Sequence, residues 1–425
     1  MTKRYQSVLK NGLRVITTQL SGRETVGLVI WVRVGARFES KRLSGISHFA
    51  EHMVFKGTKN RSTKKIKEDI EGVGGMLNAF TSEECTCFFV KIPKRHFSRA
   101  FDVLQDMVNH SVSKPEDFEK ERAVILEEIK MYMDVPSQYV QEMITELLWP
   151  KQPLGRPISG TLETVAAFKR MDLIDHIKSY YHPQNILITA CGEIDPSEVE
   201  KMAEQCFPEV CEDVPSKHGL VKTFPKPGRY YFLDKKSEQI NFVLGFEGLS
   251  RVDPKRYQLI LLNIILGANM SSRLFEEIRE RRGLAYDIKS GASFLNDTGA
   301  LLISAGVEPE KTPVSIRVIM KELGKLKHKK VPVEELDRAK EYFLGQLTIG
   351  LEDTLDQALW AGDRVLYGGS IPTLEEIKDA VKRATGEDIQ RLAGKIFQTS
   401  KVRLALIGPL NKKFEEKIKK ECVCP

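Results

Sequence analysis

The chain carries the same order of elements twice, and a duplicated order leaves few folds open. In the first half a hairpin signal at Asn11-Gly12 precedes the strand "TVGLVIWVRVG", an apolar helix from Gly45 to Phe55 and the helix "STKKIKEDIEGV". Strands "MLNAFT" and "TCFFVKI" follow, then helices starting at Phe97 and Pro115. The second half runs "RYYFLD", "QINFVLGFEG", the apolar helix "RYQLILLNIIL", a short helix "SRLFEEIRERR", strands "LAYDIKSGASF" and "GALLISAGV", and helices from Thr312 and Val333. Each half is therefore expected to form one α+β unit, a mostly antiparallel sheet with helices on one face. Residues 212–230, with Pro215, Pro225 and Pro227 and no periodicity, read as a linker. The expected domains are 1–211 and 231–425.

The halves differ where chemistry would sit. The apolar helix of the first half carries His48, Glu51 and His52, whereas its counterpart "LILLNIIL" has no ionisable group. Residues four apart share a helix face, so the two imidazoles can meet one ion, and Glu51 flanks them. Catalytic zinc needs a third protein ligand and an open position. The acidic helix "DFEKERAVILEEIKMYMDVP" offers Glu121 and Glu128, seven apart on the face that holds Ile125, while Glu127 points elsewhere. The matching helix of the second half, "EELDRAKEYFLGQLTIGLEDT", lacks that pattern. A lone buried histidine is ordinarily a satisfied core residue. Two at helical spacing around a glutamate, with carboxylates spaced on a second helix, favour a metal centre.

Composition removes other classes. A chain of 425 residues with 41% hydrophobic and 29% charged residues is globular, not disordered. It has no apolar run of about 18 residues, so no membrane span is expected. The N-terminus "MTKRYQSVLKNGLRVITTQ" lacks a secretory apolar region, which makes the cytoplasm the expected location. Seven cysteines at irregular spacing suggest reduced thiols, and the pairs Cys85/Cys87 and Cys422/Cys424 lack the partners of a zinc finger. The net charge of +7 comes from 65 basic and 58 acidic residues spread along the chain, without aromatic interleaving, so no nucleic-acid partner is expected.

His48, Glu51 and His52 form H-x-x-E-H, the inverted zinc motif of the inverzincins. With "GISHFAEHMVFKGT", "GGMLNAFTSEECT", "ERAVILEEI" and the C-terminal "GANMSSRLFEEIRERRGLAYDI", nearly the whole chain resembles the M16 family of zinc metallopeptidases. The likeness is to its short bacterial members, which are related to the mitochondrial processing peptidase. The resemblance implies Zn2+ on His48, His52 and Glu128, Glu51 as general base, and Glu121 as an acid behind the ligands. It gives Arg279 and Tyr286 as a substrate-binding pair on the half opposite the metal. Glu127 stands where processing-peptidase relatives often carry arginine.

The implied fold is half of a clamshell chamber, closed by a homodimer in which each site borrows Arg279 and Tyr286 from the other chain. The implied activity is a zinc-dependent endopeptidase for short or unfolded peptides. Such a peptide would add as a strand along "GGMLNAFTS", with Asn78, Ala79 and Phe80 nearest the cleaved bond. Gly74 and Gly75 also suit a tight turn there. Two alternatives stay open: the catalytic subunit of a heterodimeric processing peptidase, and a non-proteolytic structural or binding homologue. The second would be expected to have lost Glu51 or a ligand, and none is lost.

Overall fold

A computed structural model describes residues 3–207, 221 and 228–423 of the chain. Cys211, Cys424 and most of the expected linker 212–230 lie outside the described residues, and the last linker residue, Tyr230, begins a strand.

Among the described residues the first sheet has six strands: β1 (Lys3–Val8), β2 (Arg14–Gln19), β3 (Thr25–Val32), β4 (Met76–Thr81), β5 (Thr86–Pro93) and β6 (Ile186–Gly192). Their order is β1-β2-β6-β3-β5-β4, antiparallel except between β2 and β6. The second sheet has β7 (Tyr230–Asp234), β8 (Ile240–Glu247), β9 (Ala285–Phe294), β10 (Gly299–Val307) and β11 (Arg403–Gly408). Its order is β7-β11-β8-β10-β9, antiparallel except between β7 and β11. Strand for strand, this repeats the first sheet without β1. The duplication legible in the sequence is thus a duplication of topology, and the mostly antiparallel α+β architecture stands.

The expectation of helices on one face needs correcting, because helices cover both faces of the first sheet. Leu28, Ile30 and Val32 of β3 join a core with Ile66, Phe101 and Leu104 from helices Thr63–Glu71 and Phe97–His110. Their alternates Val29 and Trp31 pack with Leu355, Ala358 and Ala361 of helix Thr354–Val365. This explains why β3 is apolar almost throughout and not alternating. In the second sheet Val243, Ala405 and Ile407 meet Ile144 and Leu148 of helix Pro136–Leu148.

The compact units therefore do not follow the sequence halves. Met131–Gly155 packs with the second sheet, and Leu347–Ile371 packs with the first. The division 1–211 and 231–425 describes the order along the chain, and two exchanged segments separate it from the packing. Each exchanged helix lies against a face that its host sheet would otherwise leave apolar and wet.

The exchange has a sequence cost at particular glycines. A Cβ on Gly27 of β3 would stand 2.5 Å from the Cα of Leu355, and one on Gly245 of β8 would stand 2.8 Å from a side-chain carbon of Ile144. Backbone at Leu355 cannot rotate away. Gly27→Ala is expected to destabilise the protein by about 1–3 kcal/mol, the range for overpacking, as a lowered denaturant midpoint. Gly245→Ala, which meets a movable side chain, should cost less.

Candidate metal centre

The helix Ile46–Val54 buries Ile46, Phe49, Ala50, Met53 and Val54. Phe49 packs against Phe118 of helix Pro115–Asp134 with the rings tilted by 34° and their centroids 4.8 Å apart, and Ile125 and Ile129 of that helix join the same cluster. This apolar seam fixes the two helices against each other. The polar residues between the apolar ones then face a common point. One ligand atom each of His48, His52 and Glu128 lies within 4.8 Å of the others. His48 Nε2 is 3.8 Å from Glu128 Oε1, and His52 Nε2 is 3.7 Å from Glu128 Oε2.

These residues fit zinc. Ligands about 2.0–2.2 Å from one tetrahedral ion stand roughly 3.4 Å apart, close to the 3.8 and 3.7 Å between each histidine and the Glu128 carboxylate. His52 Nδ1 lies 2.8 Å from Glu121 Oε1, which leaves Nε2 for a metal, and Glu121 Oε2 is 2.5 Å from Lys56 Nζ. Such a carboxylate–histidine link is the usual support of a zinc ligand. His48 Nδ1 is buried with no hydrogen-bond partner, and the charge of Glu121 offsets only part of the burial of that ring. Burial, with His52 nearby, pulls the His48 pKa down to about 3 and keeps that ring neutral, the form that ligates.

The other groups are tuned by the same neighbours. Burial works against the charge on His52, but the hydrogen bond to Glu121 and the carboxylates of Glu128 and Glu51 outweigh it and shift its pKa up. Burial likewise opposes ionised Glu121, yet His52 and Lys56 hold its carboxyl below the ordinary value. Glu51 is shifted up, chiefly by burial and against the bond from Thr81. Thr81 Oγ1 donates to Glu51 Oε2 at 2.6 Å. Glu127, by contrast, is exposed and pairs with Lys130 at 2.6 Å.

The expected substrate strand is β4, the edge of the first sheet. Asn78 is exposed, and Ala79 packs at the margin of the core. Phe80 turns to Trp31 and Phe89, with centroids at 6.1 and 6.3 Å, the face opposite Thr81. Arg279 and Tyr286 lie together in the second unit. Arg279 Nη1 donates to the Tyr286 carbonyl at 2.9 Å, and its guanidinium lies over the rings of Tyr286 and Phe275 at 4.6 and 4.9 Å. The Tyr286 residue is 79% exposed.

Sequence reading missed two residues here: Thr81 and Lys56. Thr81 was available from the alternation of "NAFTS", which puts it two positions from Ala79 on one face. Lys56 stands four residues after His52, in the turn that follows the helix Ile46–Val54.

Comparison with known proteins places the family and the fold. The model of Insulinase (Peptidase family M16) matches residues 14–162, and that of the Peptidase M16 inactive domain matches residues 167–343. The chain is 36% identical over 412 residues to an uncharacterized zinc protease of Bacillus subtilis, covering 96% of this chain and 98% of that protein. It is 34% identical to an uncharacterized zinc protease of Rickettsia bellii, covering 95% and 97%. A crystal structure of a protease from Helicobacter pylori superimposes with a TM-score of 0.87 at 21% identity, over 96% of this chain and 100% of that one. A peptidase M16 inactive domain from Pseudomonas fluorescens gives 0.87 at 17%, over 96% and 98%.

Proposed function

The chain belongs to the M16 peptidase family, and from that premise we propose that it is a zinc-dependent endopeptidase acting on short or unfolded peptides. The observation that carries this reading is the meeting of His48, His52 and Glu128 within 4.8 Å, with Glu51 one residue from His52. Zinc, when bound, supplies a water acidified toward neutrality and a Lewis acid for the scissile carbonyl.

The chain's own residues do the rest. Thr81 occupies one oxygen of Glu51, leaving the other to take a proton from water and deliver it to the leaving amine. Burial raises the basicity of that carboxylate, which suits it to the task. The edge of β4 offers main-chain groups to an extended peptide, which would lie beside Glu51 through Thr81. Arg279 and Tyr286 of a second copy of the chain would donate hydrogen bonds to the substrate carbonyl as it becomes an oxyanion, closing the chamber as a homodimer.

Purified protein is expected to hold about one zinc per chain and to lose peptide cleavage on chelation, with recovery on adding zinc. Metal analysis and a fluorogenic unfolded peptide measure both. Cleavage that persists in zinc-free protein would overturn the reading.

A further inference from the structure

The helix that carries the two histidines has no cap of its own. Its first N–H groups need acceptors, and Gly45 at the N-cap, with φ +96°, offers no side chain. The Ser47 hydroxyl stands 3.3 Å from His176 Nε2. The acceptor comes from outside the helix. Glu39 Oε2 accepts from the Gly45 N–H at 2.7 Å, and Glu39 Oε1 accepts from the Ser47 N–H at 2.8 Å.

Glu39 is itself held from several sides. It is buried, its backbone N–H donates to the Ala36 carbonyl at 3.3 Å, and its carbonyl accepts from Arg156. Just before it, Ala36 and Arg37 donate to the carbonyls of Ser82 and Glu83 at 3.2 and 2.8 Å, and Arg37 pairs with Glu84 at 2.6 Å, both buried. That loop directly follows Thr81, the partner of Glu51. A five-residue strap, residues 35–39, thus joins the end of β4 to the start of the histidine helix. Opposite the strap, a Cβ on Gly45 would stand 2.5 Å from the Ser159 carbonyl, so the helix start is gripped between backbone and carboxylate.

We propose that Glu39 is a positioning residue for the metal ligands: by pinning the first turn of the histidine helix, its carboxylate fixes His48 in register with His52 and Glu128. The inference rests on reading this cluster as a zinc site. The helix has nine residues, fewer than the number at which a helix holds by itself, and His48 is its third. His48 therefore sits in the turn that frays first, whereas His52 is held at Nδ1 by Glu121. Burial pushes the Glu39 pKa up to about 7 against the bonds from the Gly45 and Ser47 N–H groups, and in its ionised form the carboxylate also complements the positive end of the helix dipole.

The test compares zinc affinity, by chelator competition, and amide exchange across residues 45–48 in zinc-free protein. Glu39→Gln keeps the shape, but its amide nitrogen meets one of the two N–H groups donor to donor. It is expected to raise the zinc Kd by about 10–100-fold, the range seen when a ligand's support is removed, and to speed exchange in the first turn. Glu39→Asp keeps two acceptor oxygens on a shorter stem and is expected to fall between. Asp353→Ala is the control, because Asp353 caps helix Thr354–Val365 through the N–H groups of Leu355 and Asp356, away from the ligands. It should lower the unfolding temperature and leave the zinc Kd in place. Unchanged zinc affinity in folded Glu39→Gln and Glu39→Asp, or an equal loss in Asp353→Ala, overturns the inference and leaves the zinc reading intact. Wild-type protein without zinc affinity overturns both.

Discussion

Glu51→Gln protein is expected to bind zinc like the wild type and to lose peptide hydrolysis by roughly 10²–10⁴-fold, the range a positioned general base supplies. Glutamine has the size of glutamate, and its amide oxygen can still accept the Thr81 hydroxyl that now bonds Glu51 Oε2 at 2.6 Å. The apolar seam of Phe49, Phe118 and Ile125 is untouched, so His48, His52 and Glu128 stay where they are. What disappears is the lone basic oxygen. The substitution therefore separates chemistry from metal binding, which a ligand substitution cannot do, since losing His52 removes both. Zinc content and turnover measured on one preparation make the comparison. Hydrolysis within tenfold of wild type at full zinc occupancy would remove Glu51 from the role of base.

The parts of this site that sequence reading reached are those set by spacing within one element. His48 and His52 are four apart on a helix, and Glu121 and Glu128 are seven apart on another, so helical geometry alone puts each pair on one face. Contacts between distant segments leave no such trace. Glu39 reaches Gly45 across an irregular loop, where the sequence shows only one more acidic residue. Strands β6 and β11 are short apolar runs, "ILITACG" and "RLALIG", which periodicity cannot separate from buried helix, and the repeat as read from sequence omits both. The exchanged helices were hidden for a related reason. Neighbours in sequence usually pack together, and only the apolar second face of β3, with Gly27 at its close approach, required a cover from elsewhere.

If two copies share their sites as proposed, mixing Glu51→Gln chains with Tyr286→Phe chains should restore activity that neither has alone. Consider one mixed dimer. Its site built on the Tyr286→Phe chain has an intact Glu51 and takes Tyr286 from the Glu51→Gln chain, so it is whole; the other site carries both defects. Random re-pairing of equal amounts makes half the dimers mixed, and about a quarter of all sites should then be competent. If Tyr286 served the metal of its own chain, every site would carry one defect and mixing would restore nothing. The structure makes the tyrosine suited to donation across an interface. Its residue is largely exposed, while Arg279 holds its carbonyl at 2.9 Å and covers its ring, so the phenol is presented from a fixed base. Fixing the donor in advance is what gives an oxyanion contact its value, because no reorganisation is then needed as charge develops.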